Sequence, residues 1–257
     1  MLEELYQGAL LDSESRQREV SRDDLLRRVA TVPPARDALE ALTPTSHVHI
    51  IAEIKRSSPS KGALAPIPDA AALAASYERG GASCISVLTE SRRFGGSLQD
   101  LQSVSSSVNI PALRKDFIAE EYQVLEARAY GADWILLIMA GLEDSQVVQL
   151  REFANSLGMR SLVEAHSAEE VKRAVGCGAE IIGINARDLN TFTLDPSLFE
   201  RLRALIPTGV VAVAESAVAT SQDVSRYRVA GADAVLVGEA LVTGDDPEAR
   251  VREFKSS

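Results

Sequence analysis

The sequence predicts an α/β protein, a (β/α)8 TIM barrel preceded by an N-terminal helical extension, from three observations. Four Gly-Ala pairs recur at intervals of 50, 47 and 53 residues, and each is followed by a short apolar run typical of a buried parallel strand. A further apolar run lies before the first pair and inside each interval. Amphipathic segments separate these runs, so eight strands alternate with eight helices.

The eight predicted strands are rich in Val, Ile and Leu and end at a turn or at a charged residue. They cover residues 48–54, 84–88, 110–115, 134–138, 161–166, 181–184, 210–215 and 234–237. The predicted helices carry apolar residues at helical spacing and cover residues 69–79, 98–107, 120–130, 145–157, 168–175, 196–205, 222–229 and 247–254. An open doubly wound sheet alternates in the same way, but the glycine-rich turn that such sheets place after the first strand is missing.

Residues 1–46 precede the first strand and form the predicted extension. Helical patterns cover residues 3–11 and 23–30, and two prolines at 33–34 end the second pattern. We expect one domain over residues 1–257, with the extension at 1–46 and the barrel at 47–257. We also expect the extension to pack on one end of the barrel. The 46% hydrophobic content supplies enough apolar material for a core of this size.

The overall charge disfavours two classes of partner. The formal net charge is −10 at pH 7, whereas nucleic acid and anionic membranes bind to a dense basic patch. We therefore expect neither as a partner, and we expect a monomer or at most a weak dimer. An anionic small molecule would have to be held by a few local Lys, Arg and backbone N–H groups.

Targeting and cysteine content point to the cytoplasm. Residues 1–6 carry acids where a secretory signal carries Lys or Arg, and the longest apolar stretch, 134–142, is about half the ~20 residues that span a membrane. The two cysteines, Cys84 and Cys177, lie in unrelated contexts without metal-ligand spacing. We expect two core thiols, no disulfide framework and no metal site.

The first predicted strand ends in an acid and an amine on one face. Glu53 and Lys55 stand two residues apart, and side chains at i and i+2 of a strand point to the same side. An exposed ion pair on an edge strand would need no function. The apolar run before Glu53, however, predicts a strand buried on both faces, where unpaired charges are costly. The pair therefore indicates a site of chemistry.

Active sites of such barrels lie at the carboxyl ends of the strands, and these ends are unusually polar here. Alternation along each strand selects Lys115, Glu164 and Glu215 on three strands, and Asn185 and Arg187 on a fourth, as side chains facing a common pocket. Any one of them alone is compatible with a surface ion pair, but five strand ends agree. Lysines beside carboxylates in a partly desolvated pocket have shifted pKa values that suit proton transfer near pH 7.

The last two strands of such barrels often bind phosphate through backbone N–H groups. Ser216 and Gly238 stand at those strand ends and are small enough for close approach to a phosphate. Gly238 is equally compatible with a plain strand-end turn.

The histidines give weaker signals. His47 and His49 lie at the start of the first strand without a third ligand, so we expect a structural role for them. His166 lies two residues past Glu164 on the same face, where it could orient a loop or contact a substrate, and we do not expect it to be catalytic.

Residues 50–64, Ile-Ile-Ala-Glu-Ile-Lys-Arg-Ser-Ser-Pro-Ser-Lys-Gly-Ala-Leu, closely resemble the signature of the indole-3-glycerol phosphate synthase family of tryptophan biosynthesis. The resemblance covers the whole chain and includes residues 89–90, 94–97, 113–117, 162–164, 183–189, 214–216 and 237–241. It implies a (β/α)8 barrel with an N-terminal helical extension, and a cofactor-free carbon–carbon lyase. The implied substrate, 1-(2-carboxyphenylamino)-1-deoxyribulose 5-phosphate, closes its ring onto the ribulose carbonyl carbon and loses carbon dioxide and water.

The resemblance also implies roles for individual residues. The catalytic set comprises Glu53, Lys55, Lys115, Glu164, Asn185 and Glu215. Lys115 would be the general acid for ring closure, Glu53 and Glu164 the acid/base pair for dehydration, and Lys55 a charge partner of the substrate carboxylate. Asn185 and Glu215 would orient the ribulose hydroxyls or the catalytic lysine. The implied substrate-binding residues are Ser58, Ser216, Ala217, Gly238 and Glu239 around the phosphate, Phe94, Phe117, Leu136 and Leu189 around the aromatic ring, and Arg187 in support.

One residue departs from the family pattern. Ala217 stands where the family usually has a glycine after Glu-Ser. If the backbone there needs φ > 0, alanine costs about 1 kcal/mol and displaces one N–H group from the phosphate. We expect a weaker hold on phosphate with intact chemistry.

Two other functions stay open from the residues alone. A Schiff-base aldolase on the same barrel would use Lys55 or Lys115 as its nucleophile. A barrel that only binds a sugar phosphate would not need paired acids and amines such as Glu53 with Lys55.

Overall fold

The computed structural model describes residues 1–244 and 246–257, and within them eight parallel strands form a closed barrel. The strands are β1 (His49–Ile54), β2 (Cys84–Leu88), β3 (Ala112–Lys115), β4 (Trp134–Ile138), β5 (Arg160–Ala165), β6 (Ile181–Asn185), β7 (Val211–Glu215) and β8 (Ala234–Val237). The fold prediction is confirmed, and every strand boundary lies within two residues of the predicted one.

The register of the barrel determines which side chains lie level with one another. Each strand pairs with the next, and β1 also pairs with β8 to close the barrel. Glu53 lies level with Ser86, Glu164 with Gly183, and Asn185 with Glu215. Apolar residues predominate in all eight strands, which are almost entirely buried, as expected for parallel strands covered by helices.

Helices cover the outside of the barrel between the strands. They are α1 (Leu2–Glu19), α2 (Arg22–Val29), α3 (Ala38–Ala41), α4 (Ala70–Gly80), α5 (Leu98–Ser107), α6 (Glu121–Ala129), α7 (Asp144–Ser156), α8 (Ala168–Gly176), α9 (Leu198–Leu202), α10 (Ser221–Val229), α11 (Glu239–Val242) and α12 (Pro247–Lys255). No helix among the described residues is long and apolar enough to cross a membrane. Cys84 and Cys177 are buried free thiols.

Apart from the first helix, the helix predictions are confirmed within two residues, with one interruption and two omissions. The predicted helix at 196–205 consists of α9 followed by a short 3-10 turn, Arg203–Leu205. The helices α3 and α11 were not predicted, because four residues are too few to show a helical period. Local chemistry explains the predicted starts: the Ser97 hydroxyl, for example, caps α5 by accepting a hydrogen bond from the N–H of Asp100 at 3.1 Å.

The first helix is longer than the apolar pattern of the sequence predicts. The sequence predicts a helix over residues 3–11, whereas α1 runs from Leu2 to Glu19. Its second half is polar and is held by contacts to α6 rather than by apolar packing. Ser13 donates a hydrogen bond to Glu120 at 2.5 Å, and Arg16 pairs with the buried Glu126 at 2.6 Å. Such long-range contacts have no signature in local periodicity.

The extension reaches both ends of the barrel, which corrects the expectation that it packs on one end. At the carboxyl end, Tyr6 of α1 packs against Gly141 in the turn after β4. The helix α2 lies along α6 on the outside. At the amino end, the N–H of Arg36 donates to Asp133, just before β4, at 2.8 Å, and its guanidinium donates to the carbonyl of Ile110 at 2.6 Å. These contacts hold the segment that contains Arg36 against the amino end of the barrel, just before the chain enters β1.

Candidate active site

One cavity of about 940 Å³ opens at the carboxyl ends of the strands and is lined by all sixteen site residues named from the sequence. They are Glu53, Lys55, Ser58, Phe94, Lys115, Phe117, Leu136, Glu164, Asn185, Arg187, Leu189, Glu215, Ser216, Ala217, Gly238 and Glu239. Strand alternation selected seven of these residues, and all seven lie in this one cavity: Glu53, Lys55, Lys115, Glu164, Asn185, Arg187 and Glu215.

Four ionisable side chains form one layer inside the barrel mouth. Glu53, Lys115, Glu164 and Glu215 come from β1, β3, β5 and β7, the four odd-numbered strands. Alternate strands of such barrels contribute the side chains of one layer, so this arrangement follows from the barrel geometry. The register, rather than any loop, therefore brings an amine among three carboxyl groups.

Glu53 and Lys55 form a close pair at one side of this layer. The Lys55 Nζ lies 2.5 Å from Glu53 Oε1, and the two side chains are 20% and 4% exposed. Both side chains lie in the pocket and are mostly shielded from water. The pair is therefore not the exposed ion pair on an edge strand, which would contribute little to stability and need no function.

Lys115 lies between the other two carboxyl groups. Its Nζ is 3.4 Å from Glu164 Oε2 and 3.7 Å from Glu215 Oε2. Both carboxyl groups are 1% exposed, and neither oxygen of Glu215 has a hydrogen-bond partner among the described residues. An amine placed between two buried carboxyl groups cannot balance two negative charges.

The surroundings separate the pKa values of these three groups. Burial lowers the pKa of Lys115, but Glu164, Glu215 and Glu53 outweigh it and raise the pKa above its ordinary value. Burial raises the pKa of Glu164, but Lys115 and His166 outweigh it and hold the pKa well below the usual range. Burial and the neighbouring Glu164 raise the pKa of Glu215 well above its ordinary value. At neutral pH the cluster therefore contains a cationic Lys115, an anionic Glu164 and a neutral Glu215.

Gly183 makes room for Glu215. A Cβ on Gly183 would meet Glu215 Oε1 directly and would also press on Leu162. The glycine in the middle of β6 thus allows the carboxyl group of β7 to turn into the barrel.

The end of the pocket beside β7 and β8 has an unusual backbone. Ser216 and Ala217 have φ values of 66° and 55°, which is the left-handed region that L-residues seldom adopt. The Ser216 hydroxyl donates to Asn185 Oδ1 at 2.8 Å, and the same oxygen accepts the N–H of Arg187 at 3.0 Å. The condition attached to Ala217 in the sequence, a backbone at φ > 0, is met.

Aromatic and aliphatic side chains form the opposite wall. The rings of Phe94 and Phe117 lie 6.2 Å apart, and Tyr6 of α1 meets Phe117 edge-on at 5.7 Å. Leu136 and Leu189 also line the cavity. A flat aromatic ring fits such a surface, while the charged layer lies beside it.

A family model described as indole-3-glycerol phosphate synthase matches residues 2–254. The chain belongs to the indole-3-glycerol phosphate synthase family. It is 56% identical over 254 residues to the enzyme of that name from Streptomyces griseus subsp. griseus, covering 99% of this chain and 94% of that protein. It is 54% identical over 255 residues to the one from Leifsonia xyli subsp. xyli, covering 99% and 98%.

Solved structures with low sequence identity share the fold alone. A 3-hexulose-6-phosphate synthase from Salmonella typhimurium superposes with a TM-score of 0.64 at 14% identity, covering 81% of this chain and 97% of that one. A thiamine phosphate pyrophosphorylase from Pyrococcus furiosus gives 0.63 at 13% identity, covering 86% and 96%. Family membership therefore rests on the sequence relatives and the family model.

Two residues at the mouth of this synthase-family pocket were given no role from the sequence. Lys61, in the loop after β1, forms an ion pair with Glu239 across the pocket. Ser60 accepts a hydrogen bond from Arg187 at 3.4 Å. The polar run after β1 predicts a loop, but the sequence pattern does not show which way that loop folds or which residues it contacts.

A buried network behind Lys115 was also missed. Arg114 is fully buried on the other face of β3 and pairs with Asp116 and Glu126, each at 3.0 Å. Because Arg16 of α1 pairs with the same Glu126, the network joins the end of β3 to α6 and α1. Alternation along β3 already turns Arg114 away from the pocket, but its partner Glu126 lies on α6 and cannot be identified from the strand pattern.

His49, at the amino end of β1, is structural, as expected. Its Nδ1 lies 2.8 Å from the Ser83 hydroxyl, and its Nε2 lies 2.8 Å from the carbonyl of Thr43. Both ring nitrogens are therefore occupied by contacts that tie β1 to its neighbours.

Gly238 provides a test of how tightly the pocket is built. A Cβ there would meet Glu53 Oε1 and would lie 3.0 Å from Lys55 Nζ. We expect Gly238→Ala to push this pair apart and to lower kcat/KM by roughly 100-fold, because displacements near 1 Å have such effects. Steady-state kinetics checks this. Gly176→Ala, where a Cβ meets nothing within 4 Å, is the matched control and should leave kcat/KM unchanged.

Proposed function

We propose that this protein converts 1-(2-carboxyphenylamino)-1-deoxyribulose 5-phosphate into indole-3-glycerol phosphate, carbon dioxide and water, without a cofactor. One observation carries the proposal: an amine lies between carboxyl groups with separated pKa values, in a pocket with an apolar wall on one side. A carboxy-lyase that closes a ring needs an acid, a base and a cationic site for a carboxylate, and this pocket supplies all three.

Lys115 serves as the general acid for ring closure. The aromatic carbon that carries the carboxylate attacks the ribulose carbonyl carbon, and Lys115 donates a proton to the carbonyl oxygen. Its raised pKa keeps the amine protonated at neutral pH. The same property disfavours a Schiff-base aldolase with Lys115 as nucleophile, because a protonated amine does not attack a carbonyl.

Two cationic side chains bind the carboxylate of the substrate. Lys55 and Arg187 line the pocket and are the charge partners of this group in the closed-ring intermediate. When the bond to the carboxylate breaks, carbon dioxide leaves and the electron pair restores the aromatic ring. Phe94 and Phe117 hold that ring in place by stacking and edge contacts.

Glu53 and Glu164 carry out the dehydration. Glu164 is held ionised and accepts the proton that is lost next to the nitrogen, while Glu53 gives a proton to the departing hydroxyl group. Asn185 and Glu215 orient the ribulose hydroxyls. These assignments balance the reaction, since one carbon dioxide and one water leave and no electrons are exchanged with another molecule.

Phosphate is held by the backbone after β7 and β8. We assign this role to the N–H groups of Ser216, Ala217, Gly238 and Glu239, together with the Ser58 hydroxyl, because all five residues line the cavity and the first four follow two neighbouring strands of the barrel. We also propose that the enzyme acts in the cytoplasm as a monomer or weak dimer.

Indole fluorescence tests the function directly. The carboxyphenylamino-deoxyribulose phosphate is added to purified protein in the presence of a chelator, and we expect fluorescence of the indole product to rise. Carbon dioxide release should match indole formation one to one. Binding of the substrate without product would reject the enzyme in favour of a sugar-phosphate-binding barrel, and trapping by borohydride would favour the aldolase.

Ala217→Gly tests the hold on phosphate. Glycine relieves the positive φ, so we expect the variant to be more stable by up to about 1 kcal/mol and to have a KM lower by about two- to fivefold. The value of kcat should stay unchanged, because Ala217 lies away from the reacting carbons. Thermal unfolding and steady-state kinetics measure both effects.

The matched control is Ala219→Gly, in the same loop but without a positive φ. This control should lower the free energy of unfolding, because glycine gives the unfolded chain more conformational freedom and relieves no strain in the folded one. An unchanged KM in Ala217→Gly would refute the proposed defect in phosphate binding.

A further inference from the structure

We propose that His166 is a positioning residue of the reaction: held as a cation by Glu170, it keeps Glu164 ionised and oriented opposite Lys115. The inference rests on the proposed function and adds a residue that the sequence did not favour for catalysis. His166 lies immediately after β5 and does not line the cavity, so it acts through Glu164 and not on the substrate.

The contacts of His166 place it between two carboxyl groups. Its Nε2 lies 3.3 Å from Glu164 Oε1, and its Nδ1 lies 3.2 Å from Glu170 Oε2. The backbone N–H of His166 also donates to Glu170 Oε2 at 2.9 Å. Glu170 is held in turn by the hydroxyl of Ser167, which donates to its other oxygen at 3.2 Å. The imidazole ring is therefore fixed from the side away from the pocket.

Both ring nitrogens must carry protons for both contacts to be attractive. A neutral imidazole has one N–H group, so one of the two carboxylates would then face a lone pair. The Nε2 atom is buried and has no hydrogen-bond partner among residues 1–244 and 246–257, so its 3.3 Å contact with Glu164 is an ion-pair contact rather than a hydrogen bond. That contact is attractive only when Nε2 carries a proton, as it does in the imidazolium form.

The charges around the ring support the cationic form. Burial lowers the pKa of His166, but Glu164 and Glu170 outweigh it and raise the pKa to about 10. Asp188, after β6, is a further acidic neighbour whose pKa is lowered by N–H groups of its own loop and, to a smaller extent, by His166. Lys115 is the nearest competing cation, and it binds the other oxygen of Glu164.

The consequence for Glu164 is a fixed orientation and a fixed charge. One oxygen faces Lys115 at 3.4 Å and the other faces His166 at 3.3 Å, so the carboxylate cannot rotate without losing a cation. With Lys115 alone, two buried carboxyl groups, Glu164 and Glu215, would compete for one positive charge. His166 settles this competition in favour of an ionised Glu164 and leaves Glu215 to carry a proton.

Nuclear magnetic resonance of the ring nitrogens tests the charge directly. The chain has three histidines, so the His166 signals are identified by their loss in His166→Gln. We expect both nitrogens of His166 to carry protons at pH 8 in the parent, and the titration to move to lower pH in Glu170→Gln. A neutral His166 at pH 8 in the parent would overturn the proposal, whatever the activity of the enzyme.

The pH profile of kcat tests the effect on Glu164. In His166→Gln, Glu164 loses a cation, so its pKa rises and the acidic limb of the profile moves up by about one pH unit, which is about tenfold in kcat at pH values on that limb. At high pH kcat should approach the parent value, and KM should change less than twofold. Glu170→Gln, which does not touch Glu164, should move the limb in the same direction by a smaller amount.

Glu169→Gln is the matched control, because Glu169 is exposed on the same turn of α8 and loses the same charge. It should leave the limb in place. A merely structural role for His166 would lower the melting temperature and leave the profile unmoved, and that result would overturn the proposal. If His166→Gln does not fold, Glu170→Gln decides the matter. A parent without turnover would reject the proposed function, whereas an unmoved limb in an active enzyme rejects only the role of His166.

Discussion

Lys115→Met is expected to lower kcat by about three orders of magnitude, within the range that a lost general acid costs, and to change KM little. The lysine is the one amine within 4 Å of both Glu164 and Glu215 among the described residues. Phosphate and ring contacts, which determine KM, are untouched by the substitution. Single-turnover fluorescence would separate the chemical step from substrate binding.

Stability should fall together with activity in this variant, so a second substitution is needed. Removing one partner of a buried ion pair costs roughly 3–5 kcal/mol, although protonation of Glu164 would reduce the loss. Lys115→Arg keeps the charge and should recover most of the melting temperature. It should not recover kcat, because a guanidinium group does not release its proton near neutral pH.

Lys172→Ala, on the exposed face of α8, is the control for loss of a positive charge and should behave as the parent does. More than a tenth of the parent kcat in Lys115→Met, with substrate still bound, would transfer the role of general acid to Lys55. A full recovery in Lys115→Arg would mean that the charge and not the proton matters.

Sequence reasoning located the site because parallel strands and a closed barrel leave few choices. Once eight strands alternate with eight helices, the carboxyl ends meet at one mouth, and alternation within each strand decides which side chain enters it. Glu53, Lys115, Glu164 and Glu215 could therefore be assigned to one pocket from their positions alone. Their distances and their protonation could not, since these depend on burial and on neighbours far away in the chain.

What the sequence missed depends on contacts between distant segments. The second half of α1 is helical because Arg16 reaches Glu126, more than a hundred residues later. The sequence placed His166 at the end of a strand, on the same face as Glu164, but only the structure shows Glu170 beside it in the first turn of α8. Ala217 is the intermediate case: the departure from the family was visible, but only the backbone angle of 55° shows that it carries a conformational cost.

The two buried carboxyl groups beside Lys115 should differ in how much activity is lost when each is replaced by the neutral isostere. Glu164→Gln removes an ionised base, and we expect kcat to fall by about 10²- to 10³-fold. Glu215→Gln replaces a carboxyl group that is already neutral at pH 7, so kcat should fall less than about tenfold. Kinetics of the two variants at pH 7 and 8 measures this contrast, and equal losses would contradict the separation of their pKa values.

Stability against pH gives an independent measure of the same separation. The pKa of Glu215 is raised in the folded state, so above its ordinary value of 4.5 the unfolded chain releases this proton while the folded one keeps it. That difference makes the parent lose stability with rising pH, beginning near pH 4.5. Glu215→Gln has no such proton, so its melting temperature relative to the parent should rise between pH 5 and pH 8. A constant difference across that interval would mean that Glu215 is ionised in the folded enzyme, and Lys115 would then have to balance two charges.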